Sequence, residues 1–162
     1  MRRLMLAAAF AVALTAPAVA QNPAQVAHAR SGASCPHCNL FQADFANLDL
    51  KRRDFTGARL RQADLSAAVA TRARFGGADL RDLNAYGAVM GGANFAGSDL
   101  TNATLVGAYL QGANFRGAKL GGVNFSGAEI SHAVGLAQPQ LNEACGDGAT
   151  TLPRGLHLKP CA

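Results

Sequence analysis

The sequence predicts an all-β solenoid in which the chain winds as a square coil with four short sides. Large apolar residues stand at almost every fifth position from Leu40 to Ile130, a period that fits neither a helix nor an ordinary strand. Residues twenty positions apart also match in type. Two such columns are Leu40, Leu60, Leu80, Leu100 and Leu120, and Phe55, Phe75, Phe95 and Phe115. A coil of twenty residues explains both periods.

The five-residue unit predicts one side of this coil. A small residue, usually Ala, precedes each large one by two positions, and the polar residue between them points outward. Gly or another small residue then takes the corner, where φ can be positive. Arg53 occupies a slot that is otherwise small and inward. Because a buried, unpaired guanidinium is costly, we expect Arg53 to leave through the open first coil or a local bulge.

Residues 1–20 have the pattern of an export signal. A basic start, Met1-Arg2-Arg3, is followed by an apolar run and by Ala18-Val19-Ala20. We expect cleavage after Ala20 and a periplasmic or extracellular product with no membrane span. The formal net charge of +5 falls to +3 without the two signal arginines, too little by itself to predict nucleic-acid binding. Residues 21–37 show no periodicity and are expected to be a flexible lead-in.

The repeat region, residues 38–134, resembles the pentapeptide-repeat family. The family unit is Ala-(Asp/Asn)-(Leu/Phe)-x-Gly, and the runs 93–97 (Ala-Asn-Phe-Ala-Gly) and 113–117 (Ala-Asn-Phe-Arg-Gly) match it residue for residue. The resemblance implies a right-handed, quadrilateral parallel β-helix. Such solenoids need caps at their ends.

Residues 135–162 are expected to be a capping tail with a short helix between Pro139 and Cys145. This tail resembles those of exported members of the family, a resemblance that implies a disulfide between Cys145 and Cys161. An exported chain can keep disulfides, and the even number of cysteines fits pairing.

The other two cysteines stand in Cys35-Pro36-His37-Cys38, the active-site tetrapeptide of periplasmic thioredoxin-fold oxidases. Those oxidases need a thiolate of low pKa at a helix N-terminus, whereas here the motif leads directly into the repeat. The sequence leaves open a redox pair and a local disulfide or thiol pair that caps the first coil.

Function is expected on the outward positions. One candidate interaction surface is the apolar column Val69, Val89 and Tyr109, although isolated exposed apolar residues would give the same pattern. The second candidate lies among the basic residues of the first coils, including Arg52 and Arg72, where an anionic partner could dock. A solvated surface whose charges pair with each other is the alternative there.

No catalytic, metal or cofactor site is predicted. The histidines are at or beyond the ends of the repeat: His28, His37, His132 and His157. We therefore expect a non-enzymatic, exported scaffold that binds a protein or envelope partner. The sequence is also compatible with self-association into an oligomer. Two alternatives are a thiol–disulfide redox protein and a DNA mimic that binds topoisomerases, as some family members do. The export signal and the short acidic column (Asp44 and Asp64, then Asn84, Thr104 and Asn124) disfavour the mimic.

Overall fold

The computed structural model describes residues 20–162, and these residues form a parallel β-solenoid. Parallel bridges join residues twenty positions apart, from Asn39–Arg59 to Asn114–Val134. Each segment between turns contributes one bridged residue rather than a longer strand, because the next turn begins after five residues. Residues 1–19, which hold most of the predicted signal, lie outside the described residues. Among the described helices, none has the length and apolar character needed to cross a bilayer.

The core is a set of stacked side-chain columns. Phe55, Phe75, Phe95 and Phe115 are buried, and successive ring centroids are 5.5, 5.3 and 5.1 Å apart with nearly parallel planes. Their alignment follows from the twenty-residue coil, which places each ring directly over its equivalent in the coil below. Arg53, which stands in a small inward slot, is exposed while its backbone stays in register with Arg74. Arg53 thus reaches solvent, as predicted, and the backbone has no bulge there.

The corners are turns closed by backbone hydrogen bonds between residues three apart, such as the Ala63 N–H to the Leu60 carbonyl at 3.0 Å. The third residue of the turns from His37 to Gly127 has positive φ, as at Gly97 (φ 67°). Where Asp or Asn precedes the large residue, it stabilises the turn that follows. Its side chain accepts the N–H of the residue two positions on, for example Asp64 from Ser66 at 2.8 Å.

A helix, α1 (Pro23–Arg30), covers the start of the solenoid. Asn22 caps it by accepting the Gln25 N–H at 3.2 Å, and Ala29 is buried against the core. The turn at Pro36 and His37 already belongs to the first coil, because the N–H of Cys35 donates to the Asp54 carbonyl at 2.8 Å. Residues 21–37 are therefore a helix and a first turn. The expectation of a flexible lead-in is wrong here because Asn22-Pro23 is a helix start signal.

The tail closes the opposite end. A helix, α2 (Gln138–Leu141), lies close to the predicted position, and strand β1 (Cys145–Gly146) pairs in parallel with β2 (Lys159–Pro160). Bridges from Asn124 to Cys145 and from Glu129 to Thr151 continue the coil over its last turn. The Gln140 side chain donates to the carbonyls of Phe115 and Ala118, at 3.0 and 2.9 Å. These contacts cover the main-chain groups of the last coil, which would otherwise be an open sheet edge.

Candidate partner-binding face

The column Val69, Val89 and Tyr109 lies on one outer side of the solenoid. Parallel bridges join Val69 to Val89 and Val89 to Tyr109, so the three side chains stack in successive coils. Val89 and Tyr109 are 38% and 43% exposed, whereas Val69 is half-buried. The structure thus brings these residues together as one strip. We call the strip and the corners beside it (residues 66–72, 86–92 and 106–112) the partner face.

Two adjacent glycines shape the corner next to this strip. A Cβ on Gly91 would stand 2.9 Å from Cε1 of Tyr109, and one on Gly92 would stand 3.3 Å from Cγ of Arg72. The tyrosine ring and the arginine stem therefore occupy space that only glycine leaves open. Arg72 and Tyr109, which belong to different coils and to different predicted candidates, are neighbours of the same corner.

The other corner of the partner face carries Tyr86, which is 60% exposed. Tyr86 was not predicted from the sequence, because a single tyrosine with Ser66 and Val106 as its equivalents in adjacent coils forms no apolar column. Tyr86 stands at the first corner position of its unit, where its neighbours in adjacent coils are Ser66 and Val106. Two tyrosines and two valines thus share one side. Tyrosine combines a large apolar contact area with little conformational entropy to lose, which suits it to protein interfaces.

The other outer sides carry charges that pair with each other. Arg74 donates to Asp54 in the coil below, a contact that holds the pKa of the Asp54 carboxyl far below its usual value. Arg81 lies 2.7 Å from Asp79 and lowers the pKa of that carboxyl as well. Lys119 reaches Asp99 at 3.5 Å. These groups satisfy one another across the surface, as in a solvated charged face.

Arg52 and Arg72 occupy equivalent corner positions of the first two coils, and both are exposed with positive φ. Together with Lys51, Arg53, Thr71 and Asp49 they line a cleft of about 680 Å³. The cleft overlaps the lower end of the partner face, because Thr71 and Arg72 belong to both surfaces. The two candidate surfaces predicted from the sequence are therefore contiguous.

Cys35 and Cys38 form a disulfide across the first corner, with their Cα atoms 5.5 Å apart. Cys35 fills the large inward slot of its unit and is buried, and Cys38 fills the next small slot. Helix α1 ends at Arg30, before the motif, so neither cysteine lies at a helix N-terminus. The pair takes the place of an ordinary contact between two inward side chains. This geometry does not provide the helix N-terminus that thioredoxin-fold oxidases use.

The second disulfide joins Cys145 to Cys161, with 4.8 Å between their Cα atoms. It ties β2 to the last coil, beside the amide of Asn124. Over the part of the chain that the structure describes, no group of three His, Cys, Asp or Glu residues is close enough to hold a metal ion.

Comparison with known proteins decides the family. The family model of pentapeptide repeats matches in eight copies, over residues 54–84, 78–117, 88–127 and 108–134, which together span half of the chain. The chain belongs to the pentapeptide-repeat family. The solenoid is accordingly the right-handed β-helix of that family.

Two solved pentapeptide-repeat proteins illustrate the likeness. HetL, a protein involved in heterocyst differentiation regulation in the cyanobacterium Nostoc sp. strain PCC 7120, is 25% identical with a TM-score of 0.56, over 76% of this chain and 58% of HetL. Rfr23 from the cyanobacterium Cyanothece 51142 is also 25% identical, with a TM-score of 0.53, over 68% of this chain and 61% of Rfr23. The chain thus matches about three fifths of the length of each. No curated protein matches it by sequence.

Proposed function

We propose that this pentapeptide-repeat protein is an exported, non-catalytic scaffold that binds a protein partner of the bacterial envelope through its partner face. The observation that carries the proposal is the exposed strip Val89–Tyr109, with Tyr86 on its flank. The other solvent-facing columns hold Asp, Asn, Arg, Lys and Thr, apart from the exposed Val134 at the upper end of one of them. Of the sides that the structure describes, only this one carries apolar residues in three successive coils.

A quadrilateral coil supports this assignment. Turns recur every five residues and backbone bridges every twenty, so we infer four sides for each coil. On a four-sided rod, each outward column lies on its own flat side. The apolar strip is then separated by corners from the charged columns, and a partner can cover it without desolvating the ion pairs of the other sides.

The way in which the carboxylates are paired supports a non-catalytic role. The carboxylates whose pKa values are lowered are held by basic side chains or by backbone N–H groups, as Asp79 is by Arg81 and Asp147 by Gly127. Enzyme sites instead bring groups with opposed pKa shifts together in a cleft. The histidines stay at the two ends of the solenoid, where His132 contacts the Gln111 amide at 2.7 Å.

Export is supported by the predicted signal at residues 1–20 and by the two disulfides, a bond type found mainly in oxidising compartments. The DNA-mimic alternative has no further support, because the column that begins with Asp44 and Asp64 continues through Asn84 and Thr104.

Val89→Asp tests the partner face. Aspartate fits this column, since Asp49 already occupies it. We expect the variant to fold as the wild type does and to recover at least about tenfold less partner from an envelope extract, measured by affinity capture with quantitative mass spectrometry. Binding would bury the new carboxylate against an apolar surface without a partner charge.

Asn94→Asp is the matched control. It adds the same charge to the same coil on the next side, and its oxygen can still accept the bonds from Ala96 and Asn114. We expect recovery within about twofold of wild type. Equal losses in the two variants, or no protein enriched by the wild type, would refute the proposal.

A further inference from the structure

The cleft at the lower end of the partner face is strongly basic. Its lining includes four basic residues and one acid, which gives it a net charge of +3: Lys51, Arg52, Arg53, Arg72 and Asp49. The remaining lining residue, Thr71, offers a hydroxyl group. Like charges in one cleft repel each other, so an arrangement of this kind is stabilised by a bound anion.

Pairing within the protein does not neutralise this charge. Lys51 is 3.0 Å from Asp49, so the only acid of the cleft is already engaged. Among the described residues, neither Arg52, Arg53 nor Arg72 forms an ion pair, whereas Arg61, Arg74 and Arg81 each do. Three arginines without a salt-bridge partner therefore line one cleft.

The backbone fixes two of these arginines. Arg52 and Arg72 stand at corners with φ of 58° and 59°, and their N–H groups bond to the carbonyls of Thr71 and Gly91, each at 2.9 Å. The same corner position in the next two coils is Gly92 and Gly112. Arginine at this position is strained, and the stacking of coils places the two Cα atoms about 4.8 Å apart.

We propose that this cleft binds a phosphate group in its dianionic form. Three guanidinium forks and a hydroxyl offer more donors than the two oxygens of a carboxylate can accept, whereas a phosphate monoester presents three oxygens and two charges. The cleft has room for the phosphate and for part of the molecule that carries it. This site goes beyond the proposed function, because a small ligand can occupy it without a protein partner.

Titration calorimetry with inorganic phosphate at low ionic strength and about pH 8 tests the site. We expect the wild type to bind phosphate at least about tenfold more tightly than acetate. Arg72→Gln and Arg52→Gln should each weaken phosphate binding about tenfold, because each removes charge-assisted hydrogen bonds. Glutamine is compatible with these corners, since Gln42 and Gln62 have the same backbone conformation.

Arg116→Gln is the control for charge. Arg116 is exposed at a different corner, outside the cleft, and its replacement should change the affinity by less than about twofold. No phosphate binding by the wild type, equal affinity for acetate, or an equal effect of Arg116→Gln would each overturn the proposal. Retention of partner capture alongside any of these results would leave the proposed function standing.

Vesicle sedimentation identifies the source of the phosphate. Vesicles of phosphatidylcholine with phosphatidate are compared with phosphatidylcholine alone. If the protein sediments with the former and Arg72→Gln does not, the cleft binds a lipid headgroup. If it binds inorganic phosphate and no vesicle, the ligand is a soluble phosphorylated molecule.

Discussion

At the scale of single residues, a non-glycine residue with positive φ at a corner adds backbone strain to the folded chain. Later coils place Gly at the third turn position, as at Gly107 and Gly127, whereas early coils often place other residues there. Ala67 is one of these, with φ of 54°. An alanine in the left-handed region costs about 1–2 kcal/mol, and its side chain is exposed and gains little by packing.

We predict that Ala67→Gly raises the free energy of unfolding by about 0.5–1 kcal/mol, measured by urea denaturation. Relief of backbone strain exceeds the entropy that glycine adds to the unfolded chain. Ala96→Gly is the matched change at a corner residue outside the left-handed region, and it should lower the free energy of unfolding by about 0.5–1 kcal/mol. A change of the same sign in both variants would contradict this explanation.

At the scale of the structural element, one coil is held to the next by the columns of inward side chains. Phe75 lies between Phe55 and Phe95, with both neighbouring rings nearly parallel to its own. The column contributes both buried apolar area and offset ring contacts, so each ring stabilises two interfaces between coils.

Phe75→Ala should therefore lower the free energy of unfolding by about 3–5 kcal/mol, the usual cost of a cavity in a close-packed core. Phe41 is a control of the same type, because its half-buried ring lies on a corner under the Arg59 guanidinium, 5.3 Å from the ring centroid. Phe41→Ala should cost less than about 2 kcal/mol. If chemical denaturation gives equal losses of unfolding free energy for the two variants, the phenylalanine column is not the main source of stability between coils.

At the scale of the whole molecule, the solenoid is a linear stack whose two ends have different closures. Helix α1 and the Cys35–Cys38 disulfide close the start, and the tail with Cys145–Cys161 closes the end. Each coil contacts only its neighbours, so loss of one cap should open the nearest coil before the rest.

We predict that the double variant Cys145→Ser/Cys161→Ser loses about 3 kcal/mol, since this disulfide spans sixteen residues, with the loss concentrated at the tail. Hydrogen exchange should become fast at the Phe125 and Ile130 amides, which bond to Cys145 and Thr151, while the Phe75 amide stays protected. The Cys35→Ser/Cys38→Ser variant should instead affect the first coil. Uniform loss of protection along the chain in either variant would argue against independent ends.

Much of the site, but not its assembly, was predictable from the sequence. Val69, Val89 and Tyr109 were predicted as a column because residues twenty apart stack. The link between that column and Arg72 was not predictable, since it depends on the space left by Gly91 and Gly92. Helix α1 was missed although Asn22-Pro23 signals its start, because a helix of eight residues offers too few apolar positions for periodicity to reveal it.

The sequence by itself determined the solenoid, its inward columns and the placement of Asp, Asn and Gly at their positions, because a five-residue period repeated without interruption is compatible with few backbone paths. Only the tertiary structure decided how the ends close, which charges find partners and which remain together unpaired in the basic cleft. Those outcomes depend on contacts between side chains of different coils, whose reach and direction a linear pattern does not contain.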